Sequence, residues 1–348
     1  MNDTDTRTSE HGPAEPSDSP ASAPPPRGRV ATIFESASER VGSQAIVYLI
    51  FIAIVIFFIV QAPSFATLSS LANIGRQTSA ITIVAVGMTM VIISAEIDLS
   101  VGSTVSITGS SVAILLSDGW PVTVAVLASL ALGTAVGAVN GLLTAYVGVP
   151  SFLVTLGMME ALGALASMMT HTEAVPITSV SFTTVFGANS LLGVPIPVWW
   201  AVAVALIGIY VLRKTVYGRW VFATGGNRGS ALYSGIKTKK VVLVSFVISG
   251  FLAALAGLLL AGRSGAGDPT VGNGMELSVI AAVILGGTDL FGGRGSVLGT
   301  VIGALFIGVV GIGLILLGAS SQLQEFITGV IIIGAVSINR LGHRRSPT

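Results

Sequence analysis

Long apolar runs follow one another through most of this chain. Each is close to about twenty residues, the length that an α-helix needs to cross the hydrocarbon core of a bilayer. The weakest run begins beside Glu276 and is short. We identify ten runs, at residues 45–62, 79–95, 101–117, 121–146, 151–170, 197–212, 239–262, 275–288, 295–318 and 321–338.

The composition agrees with a membrane protein. Only 9% of the 348 residues are charged and the mean hydropathy is +0.88, whereas a soluble domain carries about 25% charged residues. We therefore predict an all-α polytopic membrane protein with about ten transmembrane helices. The absence of Cys excludes disulfides. The first apolar run starts near residue 45, too far into the chain for a cleavable signal peptide.

The basic residues predict an orientation. With the amino terminus inside, ten crossings return the carboxyl terminus inside. Fifteen of the 17 Lys and Arg then lie in cytoplasmic segments, and only Arg76 and Arg263 lie outside them. This bias follows the rule that positive charge is retained on the cytoplasmic side. The fifteen are Arg7, Arg27, Arg29, Arg40, Arg213, Lys214, Arg219, Arg228, Lys237, Lys239, Lys240, Arg294, Arg340, Arg344 and Arg345.

Three regions follow from these patterns. Residues 1–44 form a tail rich in Pro, Ser, Thr and acidic residues, which we expect to be disordered and cytoplasmic. Within it, residues 30–41 carry one apolar stripe, which suits either a short helix on the membrane surface or a solvated linker. Residues 45–340 form the transmembrane domain, and residues 341–348 form a second cytoplasmic tail.

One hydrophilic segment, Arg213 to Lys240, interrupts the apolar body. Within it, Asn227 is suited to cap a helix of about two turns. Gly235 supplies the residue that ends this helix, and Gly225-Gly226 provide a flexible approach to it. Because so short a helix is marginal in isolation, we expect a partner protein to hold it.

This segment, ATGGNRGSALYSGI, resembles the cytoplasmic coupling segment of the ribose/xylose-type permeases, the membrane subunits of ABC sugar importers. Three further stretches resemble the same family. They are GMTMVIISAEIDLSVGS (Gly87 to Ser103), PSFLVTLGMM (Pro150 to Met159) and AAVILGGTDLFGGRGSVLGTVIGA (Ala281 to Ala304). The likeness extends from Asn73 to Arg340.

The resemblance implies a permease of the bacterial inner membrane that works with other chains. These are a second permease copy as a homodimer, an ATPase subunit that uses ATP and Mg, and an extracytoplasmic sugar-binding protein. The loop from His171 to Ile196 either meets that binding protein or is a simple connector. The residues that the resemblance assigns to ATPase coupling are Gly225, Gly226, Asn227, Ser230, Ala231, Leu232, Ser234 and Gly235.

One departure concerns the coupling helix. Related permeases often carry acidic residues after the Gly-Gly-Asn, whereas this chain has Arg228 and Gly229. The charge pairing with the ATPase that the family would suggest therefore differs here.

Six polar residues are candidates for the translocation pathway, because ionisable groups at membrane depth are costly and usually functional. Glu160 lies near the middle of its span. Its carboxyl is protonated, or it faces a polar pathway, or it is hydrogen-bonded locally. For Asp98 we favour a capping role, shared with Ser100, at the helix that starts near Val101. A sugar needs neutral donors and acceptors, which amide and hydroxyl groups supply. The six are Gln77, Glu96, Asp98, Asn140, Thr155 and Glu160.

Small residues and a repeated motif indicate how the helices pack. Glycines at positions 133, 137 and 141, and again at 299 and 303, favour close helix contacts. The stretch at residues 96–103 is echoed at 288–296, in that an Asp-Leu pair precedes a Gly-Ser pair in both. The two halves are therefore candidates for structural repeats.

The chain lacks the motifs of an enzyme. It contains no Gly-Lys dipeptide and hence no Walker A loop, and no HExxH metal motif. We therefore predict no catalytic residue, no metal site, no cofactor and no nucleic-acid partner. Two alternatives remain open, a branched-chain amino-acid ABC permease and an ion-coupled secondary transporter with Glu160 and Asp98 as proton sites.

Overall fold

The computed structural model describes residues 48–187 and 189–343. The predicted amino-terminal tail (residues 1–44), with its possible surface helix, and residues 344–348 lie outside the described residues. The helices are α1 (Tyr48–Gln61), α2 (Leu68–Ile93), α3 (Val101–Ser117), α4 (Val122–Leu142, continued by a π-helical turn, Leu143–Val147), α5 (Ser151–Met169), α6 (Val180–Phe186), α7 (Ile196–Lys214), α8 (Val216–Gly226), α9 (Arg228–Tyr233), α10 (Thr238–Ser264), α11 (Met275–Leu285), α12 (Val297–Leu316) and α13 (Ser321–His343). Four strands of two residues complete the fold, namely β1 (Val175–Pro176), β2 (Ser190–Leu191), β3 (Val194–Pro195) and β4 (Ala266–Gly267).

The predicted all-α architecture is confirmed, but the count of ten spans is not. Within residues 48–187 and 189–343, six helices are long and apolar enough to cross a membrane: α2, α4 with its π-helical turn, α5, α7, α10 and α12. Three apolar helices, α1, α3 and α11, are shorter. The 11 residues of α11 rise roughly 16 Å, about half the thickness of a hydrocarbon core. The weakness of this span in the sequence therefore reflects a short helix.

Local chemistry sets several helix ends. The Thr67 hydroxyl accepts a hydrogen bond from the Ser70 amide at the start of α2, and the Ser296 hydroxyl accepts one from the Gly299 amide at the start of α12. Such caps satisfy amides that have no partner within the helix. At its far end, α10 stops at Gly265, which adopts a left-handed conformation with φ of 69°.

Helix α10 lies at the centre of the bundle, where it packs against α2, α3, α4 and α6. Its closest contact is with α4. Gly137 of α4 lies against the backbone carbonyl of Phe246, and Gly250 of α10 lies against the backbone of Gly133 and Gly137. A Cβ atom at these positions would overlap the facing helix. The predicted glycine contact is thus confirmed, and it lets two backbones approach directly.

The second glycine pair behaves in the same way. Gly299 and Gly303 of α12 lie against the backbone carbonyls of Gly286 and Ala282, at and just beyond the end of α11. Short α11 is therefore held tightly along one side of α12. By contrast, α5 contacts mainly α3 and leaves most of its surface exposed.

The segment after α5 is a folded cap. Strand β1 pairs antiparallel with β4, and β2 pairs antiparallel with β3. The rings of Phe182 and Phe186 in α6 are buried, and Phe186 stacks on Trp200 with 5.7 Å between ring centroids. This cap packs on the end of α10. The loop from His171 to Ile196 is therefore folded, with one short helix and three short strands among its described residues.

We expect Gly137→Ala to destabilise the protein, because the added methyl group would meet the Phe246 carbonyl across the α4–α10 contact. Overpacking of this kind costs about 1–3 kcal/mol. Thermal unfolding of the detergent-purified protein measures it. Gly311→Ala on α12 is the matched control, since a Cβ there meets no atom within 4 Å. Equal melting temperatures for the two variants would contradict the packing described above.

Candidate functional site

The short helix predicted after Asn227 is present as α9. Asn227 is its N-cap, and the Asn227 Oδ1 accepts a hydrogen bond of 2.9 Å from the Ser230 amide. At the other end, the amide of Gly235 donates to the Leu232 carbonyl and the amide of Ile236 donates to the Ala231 carbonyl, each at 3.0 Å. Gly235 has φ of 81°, so this pair of bonds forms a Schellman motif. Both predicted helix boundaries are therefore confirmed.

Helix α9 presents an apolar tip. Tyr233 is 95% exposed and Leu232 is 58% exposed, whereas Ala231 is buried against the body of the protein. Ser230 and Ser234 are also exposed, and the Ser234 hydroxyl donates to the Ser230 carbonyl. A helix of six residues that holds two large apolar side chains in solvent offers a compact surface for another protein.

The prediction of a flexible approach at Gly225-Gly226 is wrong. These two glycines end α8, and Gly225 lies against the carbonyl of Ile93. The Gly293 amide donates a 2.8 Å hydrogen bond to that same Ile93 carbonyl, and Gly293 also touches Gly226. We call these four residues the α9 joint. A Cβ atom at Gly225 or at Gly293 would overlap the facing backbone, so glycine serves close packing at these two positions.

The α9 joint lies between two connecting loops. Residues 94–100 join α2 to α3, and residues 286–296 join α11 to α12. These are the loops that contain the echoed Asp-Leu stretches of the sequence. The structure thus brings both stretches against the same short segment, through Ile93 at the edge of one loop and Gly293 within the other.

An ion pair connects α9 to the first of these loops. The Arg228 Nη2 atom lies 2.6 Å from the Glu96 Oε1 atom. The Glu96 side chain is 9% exposed and that of Arg228 is 51% exposed. Arg228, a departure from the expected sequence, therefore finds its acidic partner within the same chain. Glu96 lies in a connecting loop beside α9.

A buried polar cluster follows two residues later. The Asp98 carboxylate accepts hydrogen bonds from the Ser100 hydroxyl at 2.7 Å, the Ser100 amide at 3.1 Å and the Ser249 hydroxyl at 3.0 Å. Asn140 Nδ2 donates to the Ser100 hydroxyl at 2.8 Å. We call Asp98, Ser100, Asn140 and Ser249 the Asp98 cluster. It joins the 94–100 loop to α4 and α10.

The predicted capping role of Asp98 or Ser100 is wrong in its details. Ser100 occupies the N-cap position of α3, but its hydroxyl makes no capping hydrogen bond. Asp98 accepts from Ser100 itself and from α10, because the loop folds back toward the bundle core. Burial raises the pKa of the Asp98 carboxyl, and the hydrogen bonds from Ser100 and Ser249 oppose that shift.

The same loop is attached to α5. The Ile97 amide donates to the Ser151 hydroxyl at 3.2 Å, and the Thr155 hydroxyl lies 3.3 Å from the Ile97 carbonyl and 2.8 Å from the Ser151 carbonyl. Thr155 is fully buried. Glu96, Asp98, Asn140 and Thr155 are therefore gathered around one loop near α9.

Gln77 belongs to a different region, near the far end of α10. It lines a cavity of about 860 Å³, where its Oε1 accepts a 3.3 Å hydrogen bond from Arg263 Nη1. The cavity also exposes amide, hydroxyl and carboxyl groups among apolar side chains. Its polar lining residues are Gln77, Arg263, Ser264, Asn273, Ser278, Ser321, Gln324, Glu325 and Thr328.

Glu160 is separate from both regions. It is exposed on α5, and no hydrogen bond or ion pair joins it to another residue of the described ranges 48–187 and 189–343. The local hydrogen-bonded alternative of the sequence analysis therefore finds no partner there. A carboxyl on an exposed helix face within an apolar run is costly against lipid.

Sequence reasoning assigned Ser100 only a capping role, it missed Arg228 as a partner of Glu96, and it missed Arg263 and Ser249 as members of the two polar regions. A signal existed only for Arg263, as one of two basic residues outside the predicted cytoplasmic segments. The others became visible through contacts between segments 132 and 151 positions apart.

A multi-pass helical membrane protein with a capped helix between two spans and a polar cavity has the form of a transport subunit. Residues 70–336 match a family described as "Branched-chain amino acid transport system / permease component". The chain belongs to this family of permeases, and it is a transport protein of the bacterial inner membrane rather than an enzyme.

Relatives of established name agree with this family. The ribose import permease protein RbsC of Escherichia coli (strain K12) is 43% identical, and the match covers 80% of this chain and 88% of RbsC. The D-allose transport system permease protein AlsC of the same strain is 36% identical, over 84% of this chain and 90% of AlsC. The xylose transport system permease protein XylH of Haemophilus influenzae is 36% identical, over 86% and 97%. No solved structure matched the chain.

We expect Asp98→Ala to destabilise the protein by at least about 2 kcal/mol, since it leaves the Ser100 and Ser249 donors without their acceptor and each buried unsatisfied group costs about 1–3 kcal/mol. Thermal unfolding in detergent measures the loss. Asp98→Asn keeps one acceptor oxygen and should lose less. If the Asp98→Ala protein had the same melting temperature as the wild type, a structural role for this cluster would be ruled out.

Proposed function

We propose that this chain is the membrane-spanning subunit of an ABC importer that translocates a monosaccharide similar to ribose, allose or xylose. The observation that carries the proposal is the near full-length similarity to three permeases whose names specify those sugars. The capped helix α9 supports the coupling part of the proposal, because it presents an exposed apolar tip in the segment between α7 and α10, two helices long and apolar enough to cross a membrane.

A sugar is favoured over a branched-chain amino acid by the relatives. The family description covers amino-acid permeases as a group, whereas the three relatives above are named for sugars. The cavity is compatible with a sugar, because among its apolar side chains it carries amide and hydroxyl groups that can exchange hydrogen bonds with sugar hydroxyls.

The assembly that we propose contains two copies of this permease, two ATPase domains that use ATP and Mg, and one extracytoplasmic binding protein. ATP binding closes the ATPase pair, and the α9 helices move with it. The pathway then opens to one side of the membrane and afterwards to the other. The folded cap of residues 171–196 is the surface that we assign to the binding protein.

We further propose ten crossings with both termini in the cytoplasm. Each of the ten apolar runs coincides with a helix, the shorter α1, α3 and α11 and the last helix α13 included. In this orientation the basic α9 region faces the cytoplasm, as the retention of positive charge predicts. Arg76 and Arg263 then lie toward the outside, with the cavity that Gln77 lines.

The pathway in this proposal runs from the cavity to the Asp98 cluster. The Asn140 Oδ1 atom is buried and accepts no hydrogen bond from a described residue, so it is free to receive a sugar hydroxyl. Thr155 borders the 94–100 loop, and Glu96 lies within that loop. Glu160 marks the α5 face that meets the pathway or the second permease copy, because lipid would leave its carboxyl without a partner.

The ion-coupled alternative is less well supported. Its two proton sites would be Asp98, whose carboxylate accepts three hydrogen bonds from Ser100 and Ser249, and Glu160, which lies on a separate helix face. No hydrogen-bonded path connects the two within residues 48–187 and 189–343. A transporter of that kind would also leave the capped helix without a role.

The ATPase contact is tested by Leu232→Asp combined with Tyr233→Ala. We expect this variant to reach the membrane but to lose both ATPase capture in a pull-down and sugar uptake, because the exposed tip of α9 no longer offers an apolar surface. Leu192→Asp is the control for capture, since Leu192 is 87% exposed in the turn between β2 and β3. Uptake that continues without the ATPase would favour the ion-coupled alternative.

The substrate contact is tested by Arg263→Gln and Gln77→Leu in cells that also carry the ATPase and the binding protein. We expect the KM for sugar uptake to rise about tenfold, as the loss of a hydrogen bond worth about 1.4 kcal/mol would give, with ATPase capture retained. Arg76→Gln removes a neighbouring charge outside the cavity lining and should change KM much less than Arg263→Gln does. Faster uptake of labelled leucine than of any pentose or hexose would overturn the sugar assignment.

A further inference from the structure

The contact between Arg228 and Glu96 joins two parts of the molecule that have different roles in the proposed transport cycle. Arg228 is the first residue of α9, and Glu96 lies 132 positions earlier in the loop between α2 and α3. At 2.6 Å the contact is both an ion pair and a hydrogen bond. Charge-assisted contacts of this length are among the strongest side-chain interactions in proteins.

The two partners differ in their surroundings. Glu96 is nearly buried, and among the described residues Arg228 alone hydrogen-bonds its carboxylate. Arg228 is half exposed and keeps part of its guanidinium in solvent. Separation of the pair would leave a buried carboxylate without a partner, which is strongly unfavourable. This cost favours a movement of the 94–100 loop together with Arg228 when α9 moves.

The loop transmits such a movement in two directions. Its Ile97 backbone is bonded to Ser151 and lies near Thr155 at the start of α5. Its Asp98 carboxylate is bonded to Ser249 in the middle of α10. Three successive residues of the loop thus reach α9, α5 and α10.

The remaining contacts near α9 do not duplicate this connection. The α9 joint is made by backbone atoms of glycines and Ile93, and it packs the end of α8 against the two loops. It resists compression, but its packing contacts give little resistance to being pulled apart. Among the described residues, the Arg228–Glu96 pair is the contact in which a side chain of α9 itself bonds to a side chain of the 94–100 loop.

We infer that the Glu96–Arg228 ion pair is a coupling link that makes the 94–100 loop move with α9, so that displacement of α9 by the ATPase reaches α5 and the Asp98 cluster. The inference rests on the proposed function, in which α9 docks on an ATPase. In this scheme both residues are positioning residues and neither contacts the sugar.

The test uses the transporter assembled from this permease, its ATPase and its binding protein in proteoliposomes. The quantity measured is the amount of sugar transported per ATP hydrolysed. We expect Glu96→Gln and Arg228→Gln each to lower this ratio about tenfold, within the range that allosteric couplings span. ATPase capture should persist, because Leu232 and Tyr233 are unchanged.

The charge-swapped double variant, Glu96→Arg with Arg228→Glu, separates coupling from simple destabilisation. It restores the pair with opposite polarity, and we expect it to recover most of the lost ratio. Arg228→Lys keeps the charge and serves if the swapped protein does not fold. Arg219→Gln is the matched control, as it removes an exposed charge from the same basic segment without touching Glu96.

Two outcomes would overturn the inference: single variants that transport normally per ATP, or a loss that neither the charge swap nor Arg228→Lys relieves. Failure of the proposed function has a different signature. In that case the wild-type permease captures no ATPase and shows no ATP-dependent uptake, whatever the state of the ion pair.

Discussion

The contact of α4 with α10 through glycine backbones determines the positions of the other functional parts. Only when these helices touch directly do Asn140 from α4 and Ser249 from α10 both reach the Asp98–Ser100 turn. In lipid, helix association depends on close packing and on hydrogen bonds between helices. Here the close packing of α4 and α10 makes the hydrogen bonds of Asn140 and Ser249 possible. The 94–100 loop is anchored by these bonds.

Around this anchored loop the molecule divides into two separate polar regions along α10. One surrounds α9 and contains Glu96, the Asp98 cluster and Thr155. The other is the cavity with Gln77 and Arg263. Ser249 in the middle of α10 and Arg263 in its last turn are about 21 Å apart along the helix, so neither side chain reaches the other region. In the proposed transport cycle, the helices themselves would have to carry a change from one region to the other.

What the sequence could predict was local. The apolar runs, the Asn227 cap and the Gly235 stop each depend on neighbours within a few positions, and the glycine repeats depend on spacing along one helix. The Glu96–Arg228 and Gln77–Arg263 contacts join residues 132 and 186 positions apart, and only the fold specifies such pairs. Gly225 was misinterpreted for a related reason, since glycine permits both flexibility and close packing, and the choice is made by Ile93 from another segment.

The packing of Gly225 and Gly226 against Ile93 and Gly293 has a mechanical consequence. The backbone atoms here are in direct contact, with no intervening side chains that could change rotamer. Such a contact is poorly compressible, as packed protein is in general. In the proposed transport cycle, a displacement that presses α9 toward this joint would therefore pass directly to the loop before α3 and to the loop before α12 at the same time.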